Sequence, residues 1–206
     1  MQPTARTSTK AVSADGAQTL ARIGIADLSG LARFGVKGPR AAAELTALGV
    51  ALPPAPNRWV ELEDGGIVAR LGRSEFLIED AISGSSVRRV RESWDEGAPG
   101  VYPVPRYDLA LALVGPRLPQ LWEQTCSFDL HDFDATPGLV VMTQMIGVSV
   151  TVLRTDYGGR ATLRIWCDGT FGAYFHGTLL EIAHELGGGS VAARDLFSNI
   201  RRLHAV

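Results

Sequence analysis

Apolar residues recur every second or third position through residues 20–36, at Ile23, Ile25, Leu28, Leu31, Phe34 and Val36. That spacing predicts two short strands, with Ser29-Gly30 as the turn between them. The period then changes. Gly38 stands at a helix cap and Pro39 at the first helical position, where a missing N–H costs nothing. Ala41, Ala42, Leu45 and Leu48 give that helix one apolar face, and Gly49 stops it. Pro53, Pro54 and Pro56 make a loop. Residues 59–62 read as a strand and Asp64-Gly65-Gly66 as a turn. Residues 67–71 and 75–79 form a hairpin closed by Gly72-Arg73-Ser74. Val87, Val90 and Trp94 fall at helical spacing, with Arg88, Arg89 and Arg91 on a solvated face. Residues 96–100 are a linker.

A second half follows in the same order. Residues 107–114 form a strand, and Gly115-Pro116-Arg117 opens a helix bearing Leu118, Leu121 and Trp122. After Cys126-Ser127-Phe128-Asp129-Leu130 comes an acidic loop, 132–138. A strand spans 140–145, and a hairpin spans 148–153 and 161–167. A helix over 171–186 carries Phe175, Leu179, Ile182, Ala183 and Leu186 on one stripe. Gly187-Gly188-Gly189 reads as a hinge, with Ser190 capping a last amphipathic helix. Gly-Pro-Arg thus returns about 77 residues after its first use, far beyond the roughly 20–50-residue periods of solenoids and propellers. The chain is predicted to be α+β, in two pseudo-repeated halves with mixed or antiparallel sheets and flanking helices. Residues 1–19 form a tail, 20–100 the first half, 101–186 the second, and 187–206 the hinge and last helix.

The bulk composition narrows the function classes. The chain has 206 residues, 46% apolar and 20% charged, with a formal net charge of -2. Such a balance gives no general pull on nucleic acid or an anionic membrane. Two cysteines, Cys126 and Cys167, are too few for a disulfide framework and read as small buried residues in a reducing compartment. The first 19 residues lack the apolar core of a secretory signal, and no stretch reaches the ~20 apolar residues that span a bilayer. The expected location is the cytoplasm.

Candidate chemistry is sparse. His131, among Asp129, Asp132 and Asp134, is the best metal candidate, but no His-x-His, Cys-x-x-Cys or His-Glu-x-x-His spacing is present. An acidic surface loop is the favoured reading. There is no Gly-x-Ser-x-Gly elbow, no P-loop and no dinucleotide fingerprint. Gly38-Pro39-Arg40 and Gly115-Pro116-Arg117 could offer an arginine and free N–H groups to an anion; as plain strand-to-helix joints they need only their backbone geometry, and that reading is preferred. The last helix, with Leu196, Ile200 and Leu203 on one side and Arg201 and Arg202 off that stripe, either docks on a partner or packs on its own domain.

Asp27-Leu28-Ser29 with Val36-Lys37-Gly38-Pro39-Arg40 resembles the opening of the folate-binding fold of the glycine cleavage T-protein. Gly115-Pro116-Arg117, Leu121 and Cys126-Ser127-Phe128-Asp129-Leu130, with Thr143-Gln144 and residues 170–174, resemble the gamma subunit of heterotetrameric sarcosine oxidase. The T-protein pattern has Gly-Gly-x-x-Asp-Asp where this chain has Gly65-Gly66-Ile67-Val68-Ala69-Arg70. Ala69 and Arg70 therefore stand in place of its carboxylates, and an arginine cannot act as a carboxylate base. The resemblance implies a non-catalytic gamma subunit, with alpha, beta and delta subunits as partners. Their complex oxidatively demethylates sarcosine to glycine and passes the one-carbon unit to tetrahydrofolate. It also implies that FAD, FMN, NAD, zinc and tetrahydrofolate sit on the other subunits and that no cofactor or metal is bound by this chain. The alternatives are a stand-alone folate-binding or aminomethyltransferase-like protein and a small-molecule binding module.

Overall fold

The structure, a computed structural model, describes residues 14–94, 97–157 and 159–197. The first half runs α1 (Ala14–Leu20), β1 (Gly24–Asp27), β2 (Arg33–Lys37), α2 (Ala41–Ala47), β3 (Arg58–Glu61), β4 (Ile67–Arg70), β5 (Glu75–Glu79) and α3 (Ser86–Ser93). The second runs β6 (Tyr102–Val104), β7 (Asp108–Val114), α4 (Leu118–Thr125), α5 (His131–Ala135), β8 (Val140–Met145), β9 (Val148–Asp156), β10 (Ala161–Asp168) and α6 (Gly172–Glu185). A short strand β11 (Gly189–Val191) and α7 (Ala193–Phe197) follow.

Side-chain alternation sorts these elements into four layers. Along β7, Leu111 and Leu113 face α4 and α6, where they meet Trp122, Phe175 and Leu179. The intervening Ala110 and Ala112 face the other way, toward Ile67, Ala69 and Leu77 of the second sheet. On that second sheet Val36, Val68, Phe76 and Ile78 turn outward to Leu45 of α2 and to Val87 and Val90 of α3. The order is helices, sheet, sheet, helices. The larger sheet is β11-β1-β7-β10-β9-β8, and the smaller is β3-β4-β5-β2-β6.

The sheets show the repeat. Each half contributes β-α-βββ-α, and each closes its sheet with a strand from the other half. β1 leaves the first half to pair antiparallel with β7, and β6 leaves the second to pair antiparallel with β2. The Gly-Pro-Arg joints receive these exchanged strands. Gly38 and Gly115 have φ of 134° and 135°. The Arg40 N–H donates to the Gly100 carbonyl at 3.1 Å and the Arg117 N–H to the Arg22 carbonyl at 2.9 Å. Each acceptor lies two residues before the exchanged strand begins. A Cβ on Gly115 would sit 2.5 Å from Arg22 O, and one on Gly38 would collide with Gly100 O.

Three sequence expectations are corrected. Ser29 and Gly30 do not fold β1 back onto β2, because the two strands belong to different sheets. The segment crosses between layers, with the Leu28 N–H on Ala110 O at 2.8 Å and Ser29 Oγ accepting from the Ala110 N–H at 3.1 Å. Ser190 is not a helix cap; it lies in β11, which pairs parallel with β1. The glycines before it allow close approach: the Gly189 N–H donates to Ile23 O at 3.0 Å, and a Cβ on Gly188 would collide with that carbonyl. The acidic loop begins with the short helix α5, which buries Phe133.

Gly115→Ala is expected to lose at least about 2 kcal/mol, since the left-handed strain alone costs on the order of 1–3 kcal/mol and the contact adds to it. Gly177→Ala, in the interior of α6 with open space around it, is expected to gain about 0.5–1 kcal/mol. Urea unfolding of both variants checks the pair.

Candidate functional site

β4 carries the two positions at which the sequence departs from the T-protein pattern, and it aims them to opposite sides. Ala69 is fully buried between the sheets, in one cluster with Leu77, Ala110 and Trp166. Arg70 points away and braces the proline-rich loop. Its guanidinium donates to Arg73 O at 2.8 Å and to Pro54 O and Gly72 O at 3.4 Å, and lies 5.5 Å from the Phe76 ring centre. Neither position offers a group that can exchange a proton with a substrate.

The interior beside Ala69 is filled by an ion cluster that no motif announced. Glu79 of β5 accepts from Arg33 Nε of β2 and from Arg164 Nη2 of β10, and takes the Trp166 indole N–H at 2.7 Å. Arg164 Nη1 donates to the Tyr157 hydroxyl, and Arg33 Nη2 to Leu28 O at 2.5 Å. Glu79 is 1% exposed, Arg164 3% and Arg33 6%. Burial, with the Arg33 charge beside it, pulls the Arg164 pKa down to about 9, so it stays a cation at neutral pH. Burial also pushes the Tyr157 hydroxyl up. Two cations on one carboxylate, sealed from water, form a strut between the sheets.

One open concavity, of about 660 Å³, is lined by Arg106, Asp108, Trp166 and Asp168; the motif residues line another. A cleft of about 640 Å³ opens beside the second Gly-Pro-Arg joint, on the helix-bearing face of the larger sheet. α4 supplies Leu118, Trp122 and Glu123, and β9 and β10 supply Arg154, Ala161 and Leu163. The third wall is Cys126-Ser127-Phe128-Asp129-Leu130 with His131 and Asp134. This is the motif that carried the gamma-subunit resemblance. Its conformation is fixed locally. The Trp122 indole N–H donates to Phe128 O at 2.6 Å, and Asp129 Oδ1 accepts the His131 N–H at 2.9 Å. Phe133 packs edge-on to both Phe128 and Trp122. The His131 N–H and ring hold the Asp129 carboxyl below its ordinary range. Asp134 pairs with Arg154 across the cleft.

The structure distributes the remaining sequence candidates. Pro116 and Gly115 border the cleft, while Gly38, Pro39 and Arg40 lie at the far sheet, with Arg40 paired to Glu44 at 2.6 Å. The Arg40 and Arg117 N–H groups are taken by carbonyls, as above. His131 meets Asp129 at 3.0 Å, whereas Asp134 turns to Arg154. Cys126 and Cys167 are buried free thiols, and burial raises the Cys167 pKa to about 11. Leu196 is 4% exposed and packs in the chain's own core. Ile200, Arg201, Arg202 and Leu203 lie outside the described residues.

No family model matches the chain, and no curated protein sequence matches it. Solved structures do. The chain is similar to one in heterotetrameric sarcosine oxidase from Corynebacterium sp. U-96, in complex with pyrrole 2-carboxylate. That match has a TM-score of 0.66 and 20% identity, over 86% of this chain and 95% of that one. It is also similar to glycine cleavage system aminomethyltransferase T from Bartonella henselae, with a TM-score of 0.59 and 16% identity. That match covers 93% of this chain and only 53% of the transferase. The fold is therefore the α+β fold that this chain shares with those two structures.

Glu79→Gln leaves two buried guanidiniums facing a neutral amide and is expected to lose about 3–5 kcal/mol. The combined change Arg33→Met, Glu79→Leu, Arg164→Met is expected to lose far less, because it removes the buried charge altogether. Chemical denaturation of both variants measures the difference.

Proposed function

We propose that this chain is a small, non-catalytic subunit of a flavin-dependent oxidase assembly of the heterotetrameric sarcosine oxidase kind, in the gamma position. The observation that carries this reading is coverage. The match takes in 95% of a chain belonging to such an assembly but only 53% of the transferase. The interior supports it. Where the transferase pattern places carboxylates, this chain has the methyl group of Ala69 and the loop brace Arg70.

In this reading the alpha, beta and delta partners hold FAD, FMN, NAD, zinc and tetrahydrofolate. They oxidise the N-methyl amine of sarcosine and pass the one-carbon unit on, and this chain contributes surfaces alone. The C-terminal residues Ile200, Arg201, Arg202 and Leu203 are a proposed further contact.

Co-expression of the tagged chain with the large flavoprotein subunits of the same host tests the proposal. The expected result is a single complex that elutes with flavin absorption. A monodisperse monomer that leaves the flavoprotein behind overturns it. Calorimetry of the isolated chain with tetrahydrofolate is expected to give no heat; measurable binding would favour the stand-alone folate-binding protein instead.

A further inference from the structure

We propose that the cleft between α4, residues 126–131 and the β9–β10 strands is the seat of a partner polypeptide segment that carries an apolar side chain beside a lysine or arginine. This rests on the subunit reading above and names the surface it uses.

The floor is apolar. Leu118, Trp122 and Leu163 are at most 5% exposed and form part of the larger sheet's core, and Phe128 and Leu130 pack against them from the loop. The rim has the opposite character. The carboxylates Glu123, Asp129 and Asp134 line the cleft together with one guanidinium, Arg154, which Asp134 engages, and the His131 ring, 3.0 Å from Asp129. Asp129 and Asp134 keep 66% and 59% of their side-chain surface in water. Hydrated carboxylates around a dry floor favour an incoming cation during encounter and an apolar anchor once docked.

The seat is also held in shape before anything arrives. The Trp122 indole bond to Phe128 O, the Asp129 turn and the Phe133 contacts fix the loop without a ligand. Preorganisation of this kind lowers the entropy lost on docking. A volume of about 640 Å³ takes a few side chains rather than a whole helix face.

The test pairs Glu123→Lys with Asp129→Asn in the co-expressed complex. Both residues are exposed, and asparagine keeps an acceptor for the His131 N–H, so circular dichroism and the melting temperature should match the parent. If the parent chain binds the flavoprotein, the double variant is expected to bind roughly tenfold more weakly, with a flatter salt dependence. Ala161→Tyr, which fills the cleft without touching its charges, is expected to weaken binding by a similar factor while keeping the parent's salt dependence. Parent-like affinity in both variants overturns the seat and leaves the subunit reading standing. Failure of the parent chain itself to bind overturns the subunit reading, and the seat with it. Loss of self-association in place of loss of the flavoprotein also overturns the proposal, because the occupant is then a second copy of this chain.

Discussion

The contact of Glu79 with Arg33, Arg164 and Trp166 is the constraint around which the rest of the structure is arranged. It joins β5 and β2 of one sheet to β10 of the other through a single carboxylate with 1% exposure. Burying three charges is unfavourable unless each finds its partner, so their positions are fixed tightly. The neighbouring sequence makes room for them. Ala110 and Ala112 stand directly opposite Trp166 and Arg164 in the β7–β10 register. Leucines in their place would occupy the volume that the indole and guanidinium need. The Leu-Ala-Leu-Ala-Leu alternation of β7 is thus a packing requirement with two sides: leucines to the helices, methyl groups to the cluster.

The exchange of β1 and β6 between the halves follows from the same arrangement. A sheet of four strands would leave β2 or β7 at an unpaired edge, directly over the buried charges. The borrowed strand covers that edge and ties each half to the other. Gly38 and Gly115 sit where the borrowed chain comes in, and their matching φ angles and matching carbonyl partners show one device used twice. Glycine is required at both by a backbone approach that leaves no space for a Cβ.

Much of this was legible in the sequence because it rests on short-range signals. The β4–β5 and β9–β10 hairpins, the helices after both Gly-Pro-Arg joints and the stripe of α6 all follow from period and turn chemistry. The Ser29-Gly30 crossing was not legible. A turn signal states that the chain changes direction, not which sheet receives it. Ser190 misled for a related reason: three glycines look like a hinge unless one knows that Ile23 passes against them. The ion cluster left a readable trace, since Arg164 interrupts the apolar run of β10, while Arg33 opens β2 and Glu79 closes β5. The pairing itself joins residues 46 and 85 positions apart, and no local pattern carries that. The cleft was half legible: its motif residues stood out, but their convergence with Arg154 and Leu163 depends on the sheet.

The buried cluster sets the cost of opening the space it occupies. A ligand entering the space held by Glu79 would have to separate it from its arginines, and that exposes an uncompensated buried charge at about 3–5 kcal/mol. A loosely held ligand cannot supply that energy. The same rigidity benefits a surface site, because α4 and β10 hold the cleft walls on the core that the cluster locks. The strut therefore also keeps the outer surface in fixed shape, and a surface of fixed shape binds without losing entropy to its own rearrangement.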